Sequence, residues 1–159
     1  MKTNSNSTSR ILTLLLAAGM LSAYPAWAGD QVPFQGKAEG AIIGVSPVPA
    51  GIILTVHANG NATHLGHFTR EEVLLFDPLG GTVAGTIVFT AANGDHLSGI
   101  VAGGFISPTA ATGTYTFTGG TGRFANASGA AGFSLSTPDG VSFSVKFDGT
   151  LSSIGSNKK

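Results

Sequence analysis

The residues of this chain that could do chemistry gather in one stretch of alternating sequence. His64, Arg70 and Glu72 are separated by even numbers of positions, which places them on one face of a β-strand. Together they would supply an imidazole, a fixed cation and a carboxylate. If that face points into an apolar interior, burial would perturb their pKa values and suit them to acid–base work or to orienting a ligand.

Whether this strand face points inward or outward decides between a functional site and an ordinary solvated surface. The opposite face, with Leu65, Val73 and Leu75, is also apolar, and Glu71-Glu72 could mark a bulge that swaps the two faces. We therefore favour the outward orientation, in which the polar residues are solvated. If polar groups do orient a ligand, the same His, Arg and Glu are the candidates.

Other arrangements of reactive residues are weaker. A two-residue turn at Asn59-Gly60 would place His57 opposite Ala62, with its imidazole on the same side as that of His64, but no third metal ligand follows. The chain contains no Cys, which removes disulfides and thiolate sites. Without a third ligand we predict no metal site. Neither a nucleophile elbow nor a complete phosphate-binding loop is present, and we predict no cofactor.

The elements that must position these residues are β-strands, because apolar residues recur at a spacing of two. In the clearest case Val141, Phe143, Val145 and Phe147 alternate with Ser, Lys and Asp. Asn-Gly pairs, Gly pairs and prolines separate the runs, so each strand should turn back beside its neighbour. Eight strands are predicted: 34–45, 52–58, 63–76, 82–92, 97–105, 112–118, 130–137 and 141–151.

Eight short antiparallel strands must hide their edges, either by closing or by stacking as a sandwich. Glycines within the strands, such as Gly85 and Gly99, allow the coiling of a small barrel. We therefore predict an all-β fold, an eight-stranded antiparallel up-and-down β-barrel. Its interior would be filled by side chains or would hold one small ligand. The aromatic residues available for either role are Phe89, Phe105, Tyr115, Phe117, Phe133, Phe143 and Phe147.

A glycine-rich stretch from Thr116 to Gly129 resembles the Gly-Gly-Thr-Gly-x-Phe-x-x-Ala-x-Gly segment of dirigent proteins and allene oxide cyclases. The segments Ala62–Phe68 and Ala91–Asp95 are also similar to a group of uncharacterised secreted bacterial proteins. The resemblance implies an allene oxide cyclase/dirigent-like barrel with an apolar cavity, and it allows a homo-oligomer. The catalytic residues of those families cannot be aligned here residue by residue, so none is carried over.

The residues of that stretch also have a folding role of their own. Gly119, Gly120 and Gly122 permit a tight turn, and residues 123–127 can form one helical turn. Phe124 is the large apolar side chain there, so we expect it to plug one end of the barrel.

The first residues of the chain predict export. Basic Lys2 and Arg10 precede an apolar run over 11–21, and Ala26-Trp27-Ala28 offers a small-x-small cleavage site. The run is too short for a membrane span. We predict a signal peptide over 1–28, a single β-barrel domain over 29–159 and a secreted protein, periplasmic or extracellular.

The charge balance narrows the partners. Beyond residue 28 there are six Lys and Arg against eight Asp and Glu, and the cations are not clustered. Such a chain lacks the basic patch that binds phosphate backbones, so we expect no nucleic acid partner. Three functions remain: binding of a small apolar or aromatic molecule, isomerisation or cyclisation of a hydrophobic substrate as in allene oxide cyclases, and an extracellular structural role.

Overall fold

The computed structural model describes residues 30–152, which form eight strands and one short 3-10 helix. The strands are β1 (Gln31–Val48), β2 (Gly51–Ala62), β3 (Gly66–Asp77), β4 (Thr82–Ala91), β5 (His96–Ser107), β6 (Ala110–Gly120), β7 (Gly129–Ser136) and β8 (Ser142–Ser152). The 3-10 helix spans Gly122–Phe124. The predicted signal peptide lies outside the described residues.

The strands form a closed antiparallel barrel in sequence order, and β1 pairs with β8 to complete it. The predicted eight-stranded up-and-down barrel is therefore confirmed. Closure gives every strand two neighbours and leaves no free edge over the paired lengths. Alternate residues of each strand point inward, as in β8, where Phe143, Val145 and Phe147 are buried and the intervening residues are exposed.

The two ends of the barrel differ. At the closed end, Leu65 from the β2–β3 turn and Phe124 from the 3-10 helix are fully buried over the core. At the other end, here called the mouth, are the four hairpin turns β1–β2, β3–β4, β5–β6 and β7–β8. The prediction that Phe124 is buried in the barrel is confirmed.

An aromatic cluster fills the half of the interior nearer the closed end. Phe34 contacts Phe117 edge-on, with ring centroids 4.9 Å apart, and stacks on Phe147 at 5.4 Å. Phe68 packs against Phe89 at 5.2 Å. Edge-to-face and offset contacts of this kind add to the free energy gained by burying the rings, so this half of the barrel is a solid core.

The connection that carries Phe124 is held by contacts with the β4–β5 turn. The backbone N–H and guanidinium Nε of Arg123 lie 3.3 Å and 3.7 Å from Oδ2 of Asp95, and Asn93 Nδ2 donates to the same oxygen. These hydrogen bonds lower the pKa of Asp95, the one from Asn93 most. Gly122 adopts a φ of 53°, and a β-carbon there would overlap the Asp95 carboxylate. Glycine is therefore required at this position.

Two local predictions were wrong. Asn59 and Gly60 do not form a turn: they pair within β2 on both sides, opposite Glu39 and Ala38 of β1 and opposite Thr69 and Phe68 of β3. A β-carbon on Gly60 would meet the Lys37 carbonyl oxygen and the Phe68 ring, so glycine serves close strand approach here. The Glu71-Glu72 bulge is also absent, since β3 keeps its register against both neighbours.

No helix within residues 30–152 has both the length and the apolar character that crossing a membrane requires.

Candidate functional site

The half of the interior nearer the mouth is hollow. It contains a cavity of about 80 Å³. The apolar walls include Leu74, Val101, Ala111, Phe133 and Phe143, and the polar groups that line it belong to Arg70, Glu72, Tyr115 and Thr137. Val83, Phe105, Gly140 and Val141 also line it. Because these four residues lie at or beside the hairpin turns of the mouth, the cavity opens there.

Arg70 is the largest fully buried side chain of the described residues, with 1% of its surface exposed. Its Nη1 donates a 3.0 Å hydrogen bond to the Tyr115 hydroxyl, and its Nε lies 3.3 Å from Glu72 Oε1. The guanidinium carbon lies 5.4 Å from the centre of the Phe143 ring, within the range of a cation–π contact. A buried arginine is kept only where such partners offset its lost hydration.

Glu72 is also buried and faces the same interior. Burial raises the pKa of its carboxyl, and the positive charge of Arg70 opposes that rise only in part. The incomplete compensation has a geometric reason, because Arg70 Nε and Glu72 Oε1 are close but not aligned as a hydrogen bond. The carboxyl is therefore poised to take up a proton more readily than an exposed glutamate.

Tyr115 completes the polar group from the opposite side of the barrel. Its ring stacks on Phe133, with centroids 4.7 Å apart, and its hydroxyl accepts the bond from Arg70. Burial raises the pKa of this phenol, so it stays neutral. Within residues 30–152 the hydroxyl hydrogen has no protein acceptor, which leaves it able to donate into the cavity.

The structure brings together two of the three predicted ligand-binding residues. Arg70 and Glu72 share the inward face of β3, as the even spacing predicted, and the favoured outward orientation was wrong for both. Phe68 and Leu74 lie on the same face of β3 as Arg70 and Glu72, and their burial in the core turns that face inward.

His64 is separated from that pair. It precedes β3, in the exposed β2–β3 turn at the closed end, with a φ of 65°. It does not line the mouth cavity. His57 pairs with Glu71 of β3, not with Ala62, so the predicted alignment of the two imidazoles was also wrong. Among the described residues no group of three or more His, Asp or Glu side chains could hold a metal ion.

Sequence reasoning named Tyr115 and Phe143 as interior aromatics but not as partners of Arg70. Strand alternation predicts which face a residue occupies, and it carries no information on which strands face each other across a closed barrel. The available signal was an inward-facing tyrosine, since a buried phenol needs a hydrogen-bond partner.

Comparison with known proteins identifies a solved structure of similar fold. No protein-family model matches the sequence, and no curated protein matches it either. A solved structure, that of a pterocarpan synthase dirigent protein, superimposes with a TM-score of 0.59 at 16% identity. The match covers 85% of this chain and 98% of that one. By fold, therefore, the chain is a dirigent-like eight-stranded β-barrel.

Proposed function

We propose that this protein binds a small apolar or aromatic molecule in the mouth cavity, with Arg70, Glu72 and Tyr115 orienting its polar end. The observation that carries the proposal is the cavity itself, an apolar space into which three buried polar side chains converge. That combination is typical of small-molecule sites. A barrel fold shared with a pterocarpan synthase dirigent protein is consistent with an aromatic ligand.

The size of the cavity limits how a ligand sits. A volume of about 80 Å³ is smaller than the roughly 150 Å³ of an engineered cavity that binds benzene. A ring therefore enters only in part, or the flexible side chains of the wall move aside. The remainder of the ligand lies in the mouth, so the ligand is longer than the space that holds its end.

The polar groups define what that end carries. Arg70 and the Tyr115 hydroxyl are hydrogen-bond donors, and Glu72 becomes a further donor when it is protonated. Donors that converge in an apolar space select an acceptor oxygen, such as a carbonyl, since a ligand without one would leave them unpaired.

Filling the cavity tests the proposal. Val101 points inward and lines the cavity, whereas its neighbour Ala102 points outward. The probe is prodan, a neutral naphthalene that carries a carbonyl and fluoresces according to its surroundings. Val101→Phe should weaken prodan binding at least tenfold, and Ala102→Phe should leave it unchanged. Unchanged binding to a folded Val101→Phe protein would refute the site, and no binding to the native protein would favour the structural role.

Arg70→Met separates the polar from the apolar contribution. It keeps an unbranched apolar side chain and removes the donors. Prodan affinity should fall, whereas the affinity for naphthalene, which has no oxygen, should not. Equal losses for both ligands would mean that Arg70 only maintains the shape of the wall.

A second candidate function is isomerisation or cyclisation of the bound molecule. The observation that favours it is Glu72, a buried carboxyl of raised pKa beside a cation and a phenol. A raised pKa favours the protonated form of a carboxyl, which is the form that acts as a general acid. If the protein converts an unsaturated epoxide into a cyclic product, Glu72→Gln should abolish turnover while the protein still binds prodan. Full turnover by that variant would exclude Glu72 as the acid.

A further inference from the structure

Exposed apolar side chains are concentrated at the mouth. Each of its four hairpins carries one at or next to the turn: Val48, Leu79, Ile106 and Val141. Leu79, at the tip of the β3–β4 turn, is 98% exposed, and Ile106 is 71% exposed. Val48 and Val141 are exposed to 38% and 52%. Exposure of large apolar residues at all four tips costs free energy in water, so it indicates a surface that is covered in use.

Elsewhere in the described barrel, exposed large apolar side chains are fewer and do not form a ring. Ile43 and Val45 lie on the part of β1 that extends beyond its pairing with β8, on the mouth side. Val73 and Ile100 are the exposed large apolar residues of the outer wall. The loops of the closed end instead present polar groups, among them Asn93, Asp95 and Arg123.

The charges at the mouth are few and of one sign. Asp77 and Asp139 flank the β3–β4 and β7–β8 turns, and each carboxylate accepts backbone N–H groups of its own turn. Those hydrogen bonds lower the pKa of Asp139, so it is ionised at neutral pH. Among the described turns of the mouth no Lys or Arg is present. An apolar ring with two carboxylates and no cation fits an uncharged apolar surface and is repelled by an anionic one.

We propose that the mouth docks on the surface of a zwitterionic lipid bilayer, with the four hairpin tips inserted among the lipids. The inference rests on the proposed function, because the cavity opens in the middle of these tips and an apolar ligand would enter it directly from the membrane. This route spares the ligand a passage through water. Four separate tips around an open cavity can each enter a soft surface, whereas a rigid partner would have to match all four.

Flotation with vesicles tests the docking. The protein should float with phosphatidylcholine vesicles, and its binding to phosphatidylserine vesicles should be weaker and partly restored by salt, which screens the repulsion. Leu79→Asp with Ile106→Asp should reduce binding to phosphatidylcholine at least tenfold. The matched control is Val73→Asp with Ile100→Asp, two half-exposed residues of the outer wall, which should bind as the native protein does. Equal loss in both variants, or no binding of the native protein, would overturn the proposal.

A second measurement separates this proposal from the proposed function. Leu79 and Ile106 do not line the cavity, so the tip variant should bind prodan from water with unchanged affinity, but should take it up from preloaded vesicles more slowly. Normal prodan binding without any vesicle binding of the native protein would refute the docking alone. Self-association of the native protein that the tip variant lacks, measured by light scattering without vesicles, would show that a second copy covers the mouth instead.

Discussion

The polar interior of this barrel depends on one pair of residues two positions apart on β3. Arg70 and Glu72 are almost completely buried, and their mutual attraction offsets only part of the cost of removing two charges from water. Stability alone would favour apolar residues of similar size. A pair of this kind beside a cavity therefore supports the proposed ligand site better than a role in folding alone.

Glu72→Gln should change how stability depends on pH. Because the folded pKa of Glu72 is raised above its ordinary value of 4.5, the native protein binds an extra proton just above that pH and loses stability as pH rises through the folded pKa. The variant lacks this loss. The free energy of unfolding of the variant, measured with denaturant, should therefore increase relative to that of the native protein as pH rises from about 4.5 toward neutral.

The neighbouring Glu71 provides the control. It is exposed on the outer face of the same strand, so Glu71→Gln should follow the native pH profile. If Glu72→Gln also follows it at every pH, the carboxyl is not perturbed by burial, and its role as a proton donor fails with it.

At the scale of elements, the connection between β6 and β7 acts as the lid of the closed end. Its 3-10 helix places Phe124 over the core with no exposed surface. Leu65 does the same from the β2–β3 turn. At the end of a barrel the strands stop, so their side chains no longer cover the core. Here Phe124 and Leu65, from two different connections, cover it instead.

Phe124→Ala should lower the free energy of unfolding by about 3 to 5 kcal/mol, because it leaves a cavity where a buried ring was. Chemical denaturation of the purified protein measures this. Arg123→Ala, in the same turn but partly exposed, should cost less than about 1 kcal/mol, as surface ion pairs do. A loss of less than 1 kcal/mol for Phe124→Ala would show that the ring does not close the barrel.

The elements themselves were largely predictable, since period-two alternation and turn residues placed all eight strands. The error at Asn59-Gly60 has a physical cause. The pair favours a tight turn when considered locally. Extending β2 to Ala62 stabilises the chain more, because residues 59–62 then pair with both β1 and β3 and Leu65 is buried in the turn that follows. The inward orientation of Arg70 could likewise not be predicted from the sequence, because both faces of β3 contain apolar residues.

At the scale of the whole molecule, the barrel is divided into a solid half and a hollow half. Phenylalanines fill the half nearer the closed end, and smaller side chains such as Val101 and Ala111 leave the cavity near the mouth. The question of a filled or a hollow interior, which the sequence left open, therefore has a different answer at each end. The sequence could not place this boundary, because residue size along one strand becomes an empty volume only when the opposite strands are known.

Export should produce a shorter protein. We propose that the signal peptide over 1–28 is removed after Ala28, because Ala26 and Ala28 provide the small residues that cleavage requires. Intact-mass measurement of the exported protein should give a chain that begins at Gly29. A mass that includes residues 1–28 would contradict the proposal.

Closure of the barrel also bears on how the chain folds. Seven strand pairings join consecutive strands, but β1 and β8 meet across more than a hundred residues, as in the bond from Gln35 to Asp148. Local hairpins form faster than such distant contacts, so we expect the pairing of β1 with β8 to form last, and both strands have bare edges until it does. Lys37 and Glu39 on β1 and Lys146 and Asp148 on β8 project outward from those two strands. Charged side chains on an edge oppose aggregation with other chains, so these residues protect the barrel before it closes.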